Sequence, residues 1–405
     1  MKSICEICNK KNLPTALYLG KHPLCDELIK IGSSKKNQTY KIEIIFCKKC
    51  VTAYQKYQIP KKKLFPKNYH YRSKFTKDVT KGMKNLLNES KKIKSGLKNK
   101  IILDVGCNDG SLLDLYKKNK SITVGIEPTN AANEAKSKGH DIFKNYIDRS
   151  TIQKIKKKYK KIDLITFTNV FAHIEDLRSL IKNLKLLISK NTVLIIENHY
   201  LGSIIKKRQF DTFYHEHPRT YSLTSFKNIS KILNLNLTKA SFPKRYGGNI
   251  RVIFSQKKGN FIKNNKIENL EKKYFIRLKK INFDIKIWKK NKKNLIKKLV
   301  KKFGPLPAKA FPGRAAILIK LLELNENHIR GIYEQSKSQK IGHYAPGTKI
   351  KILPDSKLKY LNKKIPIINL AWHINKEIRI YLKKINVKNK VIDILNQKDF
   401  INGKN

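Results

Sequence analysis

No apolar run in this 405-residue chain approaches the roughly 18 residues that a membrane-spanning helix needs. The first residues, Met1-Lys2-Ser3-Ile4-Cys5-Glu6, offer no apolar signal core, so the expected compartment is cytoplasmic. Acidic residues are scarce: 29 Asp and Glu face 90 Lys and Arg, giving a net charge of +61 and a pI near 10.1. Such a balance invites a nucleic-acid reading. Arginine is scarce too, however, with 11 of those 90 positions. Nucleic-acid sites often use the arginine fork for phosphates and guanine edges. The lysines are spread over every segment, as at 61–63, 156–161 and 289–302, which reads as compositional drift towards Lys, Ile and Asn. The length allows two or three cores.

Cysteine is sparse, with six in all, yet four fall in two pairs, Cys5-x-x-Cys8 and Cys47-x-x-Cys50. Paired knuckles of this kind supply four thiolates to one tetrahedral zinc. Disulfides are disfavoured in a cytosolic setting. The 38 intervening residues exceed a compact ribbon, so an extra hairpin is expected between the pairs. Cys25 and Cys107 are left to pack.

Strand-like runs at 101–105, 122–126, 162–167 and 192–197 alternate with helical patterns at 110–118, 130–138, 150–160 and 175–188. That alternation predicts a parallel, doubly wound sheet with its functional edge at the strand ends. The first run ends in Asp104-Val105-Gly106-Cys107-Asn108-Asp109-Gly110, a strand, turn and helix start that cradles a nucleotide cofactor. Glu127 closes the next run, 23 residues after Asp104, where an acid gripping ribose hydroxyls belongs. The turn lacks the full G-x-G-x-x-G, which counts against NAD. Asn169 and His173 follow the third run, and Asn198 ends the fourth as a candidate for a substrate hydroxyl or carbonyl.

The densest group of titratable side chains is Tyr214-His215-Glu216-His217, within Phe210–His217. In a strand, Tyr214 and Glu216 would face one way and His215 and His217 the other. A strand end or a turn could let three of them converge.

Taken together, these motifs make the chain resemble S-adenosylmethionine-dependent sugar C-methyltransferases that act on nucleotide-linked deoxyketosugars. The resemblance rests on LDVGCNDGSLL (103–113), GIEPTNAANEA (125–135), TNVFAHIEDL (168–177), FDTFYHEH (210–217), YGGNIRV (246–252), PGTKIKI (346–352) and LAWHINKEI (370–378). It implies an α/β fold: a Rossmann-like methyltransferase domain (71–256) between a small zinc-binding domain (1–70) and, past a helical connector (257–300), a second Rossmann-like domain (301–405). It implies S-adenosylmethionine with Asp104, Gly106, Asn108, Asp109, Gly110, Glu127 and Asn169, and structural zinc on Cys5, Cys8, Cys47 and Cys50. It brings His173 into the active site, with Tyr69 and Tyr71 as aromatics that reach it. Methylating a carbon beside a ketone requires a base, an enolate donor and a fixed methyl donor. His217 is the first choice as base. Glu216 orients an imidazole or binds a sugar hydroxyl, and Tyr214, with His173, donates to the ketone oxygen. The four could exchange these duties. The sulfonium is already activated, so the zinc is architectural.

The connector is expected to pack through Ile262, Ile267, Leu270, Phe275, Leu278, Ile281 and Phe283. The chain departs from the family pattern at Pro305-Leu306, Glu334, His373 and Tyr246, which leaves the particular sugar open. Two alternatives remain: a nucleic-acid methyltransferase with a zinc ribbon, and a non-catalytic sugar-nucleotide-binding homologue. The expected partner is a nucleotide-linked ketosugar, whose diphosphate the basic field attracts. Nucleic acid and membrane insertion are not expected.

Overall fold

A computed structural model describes residues 1–75, 77–257 and 265–401. Its centre is a seven-stranded sheet. Five strands run parallel, in the spatial order Asp141–Phe143, Ile122–Ile126, Ile101–Val105, Leu164–Thr168, Val193–His199. Apolar, β-branched residues fill them because helices cover both faces. The crossovers hold helices Ser111–Lys117, Ala131–Ser137, Arg149–Lys158 and Leu177–Leu187. Asp148 and Asp176 cap the last two, accepting from the Thr151 and Ser179 amides at 2.8 and 3.0 Å.

The four strands expected from the sequence run parallel, and one edge adds two further strands, each antiparallel to its neighbour. Asn249–Ser255 lies antiparallel to Val193–His199, and Asn236–Ser241 antiparallel to it in turn. A short link joins those last two strands, and a parallel pair would need a long crossover.

The C-terminal unit is a parallel five-stranded sheet in the order Ile352–Pro354, Ile329–Glu334, Leu306–Lys309, Ile367–Asn369, Val391–Asp393. Its central strands, Leu306–Lys309 and Ile367–Asn369, meet where the strand order reverses. Loops leaving that point descend on the methyltransferase unit.

The N-terminal sheet pairs Thr15–Pro23 with Thr39–Cys47, then Thr52–Gln55. Its fourth strand, Arg219–Thr220, comes from the central unit, just beyond the Tyr214–His217 turn. A second strand pair, Ile29–Lys30 with His343–Tyr344, ties the N-terminal unit to the C-terminal one.

Helices Asn265–Lys272 and Tyr274–Phe303 form the connector; Ile262 lies outside the described residues. Leu278 and Ile281 are buried as expected, but Leu270 and Phe283 are 39% and 57% exposed. The inward stripe is Tyr274, Leu278, Ile281, Ile285, Trp288 and Ile296. Phe283 stands roughly 200° round the axis from Ile281 at 100° per residue. No helix among the described residues is long and apolar enough to cross a membrane.

Candidate active site

The carboxyl ends of the parallel strands open into a cavity of about 620 Å³. On one side stand Asp104, Gly106, Asn108, Glu127 and Asn169, and on the other Tyr214, Glu216 and His217, with His173, Tyr69 and Tyr71 between. The glycine turn and the Tyr-His-Glu-His segment therefore share one chamber.

The turn is shaped by close approach. Gly106 has φ 72°, and a Cβ there would meet Val170 Cγ2 at 2.4 Å. Asn108 (φ 51°) and Asn169 (φ 56°) also adopt the left-handed conformation, which asparagine tolerates. The Glu127 carboxylate accepts from the Asn108 amide at 3.0 Å and the Thr129 hydroxyl at 2.6 Å, which fixes it at the rim of the turn. Asp104 is buried, and burial pushes its carboxyl up to about 7, while the Thr166 hydroxyl donates to it at 2.7 Å. Asp109 and Gly110 do not line the cavity. Asp109 accepts from the Ser73 and Ser111 hydroxyls at 2.6 Å and the Lys74 amide at 3.0 Å, clamping the segment that carries Tyr69 and Tyr71 onto the first helix. Thr168 Oγ1 is buried at the cavity wall with no hydrogen-bond partner. A glycine cradle, an acid one strand over and an orphaned hydroxyl fit the nucleoside of S-adenosylmethionine.

The segment after Phe210–Thr212 is a turn, not a strand. Tyr214, Glu216 and His217 converge on the cavity. His215 alone leaves it, its Nε2 placed 3.2 Å from the Tyr40 carbonyl. His217 Nδ1 donates to the Thr212 carbonyl at 2.9 Å, so Nε2 holds the free lone pair. His173 Nδ1 likewise donates to the Glu216 carbonyl at 2.6 Å. The imidazole of His199 packs 5.2 Å from that of His217, and His173 lies 4.8 Å away on another side. Sequence reasoning missed His199, choosing its neighbour Asn198. Strand alternation sends the Asn198 side chain into the sheet packing, outside the cavity, and turns His199 inward.

Burial dominates the electrostatics. It lowers His173 to about 4 and His199 to about 3, and drives His217 well below its ordinary value, helped by the two other imidazoles. It raises Glu216 to about 8, with Asp26 adding to the shift. The Tyr69 hydroxyl donates to Glu216 at 3.0 Å, and burial holds Tyr69, Tyr214 and Tyr246 well above the usual phenol range. The chamber therefore holds neutral imidazoles and protonated phenols at neutral pH. Tyr71 and Tyr246 meet hydroxyl to hydroxyl at 3.1 Å.

Both flanking units grip the segment. Asp211 accepts from Arg314 at 2.6 and 2.8 Å and from Trp372 Nε1 at 2.8 Å, both residues on the descending C-terminal loops. On the other flank, Arg219 donates to Glu6 at 2.6 and 2.7 Å and to the carbonyls of Ile174 and Glu175. Glu6 lies between Cys5 and Cys8. The sulfurs of Cys5, Cys8, Cys47 and Cys50 all lie within 4.8 Å of one another. The Cys8 and Cys50 amides each stand 3.4 Å from the first sulfur of their own knuckle. This donor set suits zinc. Cys25 and Cys107 are buried away from it.

Three family models match the chain in order. They are the "Putative zinc binding domain" over residues 5–65, the "Methyltransferase domain" over 72–240 and the "C-methyltransferase C-terminal domain" over 244–392. In that order the matches run from a zinc-binding domain through a methyltransferase domain to a C-methyltransferase C-terminal domain. A curated relative, the C-methyltransferase NovU of Streptomyces niveus, is 22% identical over 253 residues. The match spans 62% of this chain and 60% of the relative. Similar solved structures include magnesium protoporphyrin IX methyltransferase from Synechocystis with bound SAH (13% identity, TM-score 0.35, 44% of this chain and 84% of that one). Another is the PH0226 protein from Pyrococcus horikoshii (12%, TM-score 0.37, 48% and 98%). The zinc-binding match covers the four-cysteine cluster, and the methyltransferase match holds both the glycine turn and the Tyr-His-Glu-His segment.

Proposed function

We propose that this protein transfers a methyl group from S-adenosylmethionine to a ring carbon beside the ketone of a nucleotide-linked deoxyketosugar. The observation that carries this reading is the shared chamber: a nucleoside cradle and a cluster of imidazoles and phenols open onto the same 620 Å³. The bound sulfonium would supply an electrophilic methyl. The Gly106 turn, Asn108, Glu127 and Asn169 would hold its nucleoside.

The chain's own residues would do the rest. His217 Nε2, left bare by the Nδ1 bond to Thr212, would take the proton from the carbon beside the ketone. In so buried a place an imidazolium is costly unless an anion forms beside it. The enolate is that anion, so proton removal and oxyanion formation support each other. Tyr214, kept protonated by burial, would donate to the enolate oxygen, a donor worth roughly 10²–10³-fold. Tyr69 gives its one proton to Glu216, and neutral His173 gives its own to the Glu216 carbonyl, so neither serves as that donor. Glu216, raised to about 8, would sit largely protonated at neutral pH and hold a sugar oxygen. The closed wall would hold the reacting carbon in line.

The test is incubation with isotopically labelled methyl donor and a panel of nucleotide-linked ketosugars, followed by mass spectrometry. In heavy water, the α-carbon of the true substrate should exchange its hydrogen. His217→Asn should cut both exchange and transfer by about 10²–10⁴-fold while donor affinity stays near normal. No label in any ketosugar would end the proposal, and exchange undiminished in His217→Asn would remove His217 as base.

A further inference from the structure

The cavity wall contains one buried cation whose N–H groups find no acceptor among the described residues. Four cations line it: Lys61, Arg149, Lys182 and Arg245. Arg149 and Lys182 are exposed, Lys61 is half-buried, and Arg245 alone is buried, at 7% exposure. None of the three guanidinium nitrogens of Arg245 has a hydrogen-bond partner. Its carboxylate neighbour is Glu197, 3.3 Å from Nε. Glu197 is already committed: it accepts from Arg251 at 2.7 and 2.6 Å and from Asn249 at 2.9 Å. Glu197 thus balances the Arg245 charge without taking its hydrogen bonds, and buried N–H groups are normally hydrogen-bonded.

The surroundings are built to keep it there. The guanidinium lies against Gly82, inside helix Lys77–Lys94, where a Cβ would come within 1.7 Å of Nη1. Glycine in a helix interior costs about 1 kcal/mol relative to alanine, so this contact is retained against local preference. On its other side the Arg245 guanidinium carbon stands 5.2 Å from the centre of the Tyr246 ring. Tyr246 in turn packs 5.7 Å from His199. Arg245 thus looks onto the chamber beside the imidazole cluster, with Val79 and Met83 as apolar neighbours in the wall.

We infer that Arg245 binds the α-carboxylate of the methyl donor's amino-acid arm. This rests on the methyl-donor reading above. A sulfonium carries three carbon arms. On that reading the nucleoside would sit at Glu127 and the methyl would face the substrate carbon beside His217. The third arm ends in a carboxylate, and Arg245 is the buried cation left to receive it. A guanidinium matches a carboxylate with paired N–H donors, which fixes orientation as well as adding affinity. Arg245 would then set the direction of the methyl by anchoring the arm opposite the nucleoside.

The experiment is calorimetry on the full chain with two probes. S-adenosylhomocysteine carries the carboxylate, and 5′-methylthioadenosine lacks the whole amino-acid arm. Arg245→Met should weaken S-adenosylhomocysteine on the order of 10–100-fold, as expected for a charged hydrogen-bonded contact, and leave 5′-methylthioadenosine unchanged. Arg245→Lys should recover part of the loss. Unchanged 5′-methylthioadenosine affinity also certifies that the variant's cavity is folded. Equal losses for both probes, or no loss for either, would overturn the role of Arg245 while leaving the donor site standing. Wild-type protein that binds neither adenosine probe would remove the donor reading itself, and this inference with it.

Discussion

His217 illustrates how little its own chemistry fixes at the residue scale. Free in water an imidazole titrates near 6.5. Here burial and two neighbouring imidazoles hold it neutral, and one carbonyl chooses its tautomer. The same burial acts on His22, His173 and His215, each lowered to about 4, and on His199, lowered to about 3. These groups are neutral when folded and charged when unfolded between their native values and about 6.5. The unfolded chain therefore binds more protons in that window, and stability must fall as pH drops through it. Melting temperature measured from pH 7 to pH 4 should decline through the histidine range, and His199→Asn should make the slope shallower. A flat profile between pH 6.5 and 4.5 would contradict the buried neutral state. Glu216 pulls the other way. Raised above its ordinary value, its contribution is present at low pH and is lost as pH rises from about 4.5 to about 8.

At the scale of elements, the decisive object is the turn between Phe210–Thr212 and strand Arg219–Thr220. It has little regular structure of its own, so its shape is imposed from its two ends. At one end Asp211 is fixed by Arg314 and Trp372, and at the other Arg219 by Glu6. Asp211 is a positioning residue in this arrangement, since it does not line the cavity. Asp211→Asn leaves the buried Arg314 charge uncompensated and should cost about 3–5 kcal/mol of stability. Pairing it with Arg314→Met removes that stranded charge and should restore the melting temperature. Turnover should stay low in the double variant, with kcat reduced more than KM rises, because the turn is no longer aimed. Full recovery of kcat alongside stability would make the ion pair purely structural.

For the whole molecule, arginine and lysine divide the labour. Five of the 11 arginines (Arg72, Arg219, Arg245, Arg251 and Arg314) are buried, and each of these stands beside a carboxylate. The lysines mostly cover the surface, which leaves the large positive charge as a solvated field. The guanidinium is weakly hydrated and forks onto carboxylates, so it survives burial where an ammonium is costlier. The four-cysteine cluster is the far end of this scaffold. From its knuckle, Glu6 reaches Arg219, and Arg219 reaches the carbonyls just past His173. Metal analysis should find one zinc per chain. Stripping it with a chelator should lower melting temperature and methyl transfer together, and zinc should restore both. Activity that persists at full rate in zinc-free protein would detach the N-terminal unit from the chemistry.

Local pattern was sufficient for the alternating strands and helices of the central sheet, the glycine turn, the acid at Glu127 and the two cysteine pairs. Each is written within a few residues, by hydrophobic period, by the backbone freedom of glycine or by ligand spacing. The antiparallel edge and the inward stripe of the long helix needed the surrounding faces to decide them. Likewise, His199 enters the chamber and His215 leaves it because distant chain, including Tyr40 and Tyr246, supplies the walls. Arg245 is set against Gly82 by contacts that span more than 160 positions, a distance no local period can encode. Residue types thus fixed which chemistry was on hand, and long-range packing chose which groups meet, because burial and neighbouring charge exist only once the chain has closed on itself.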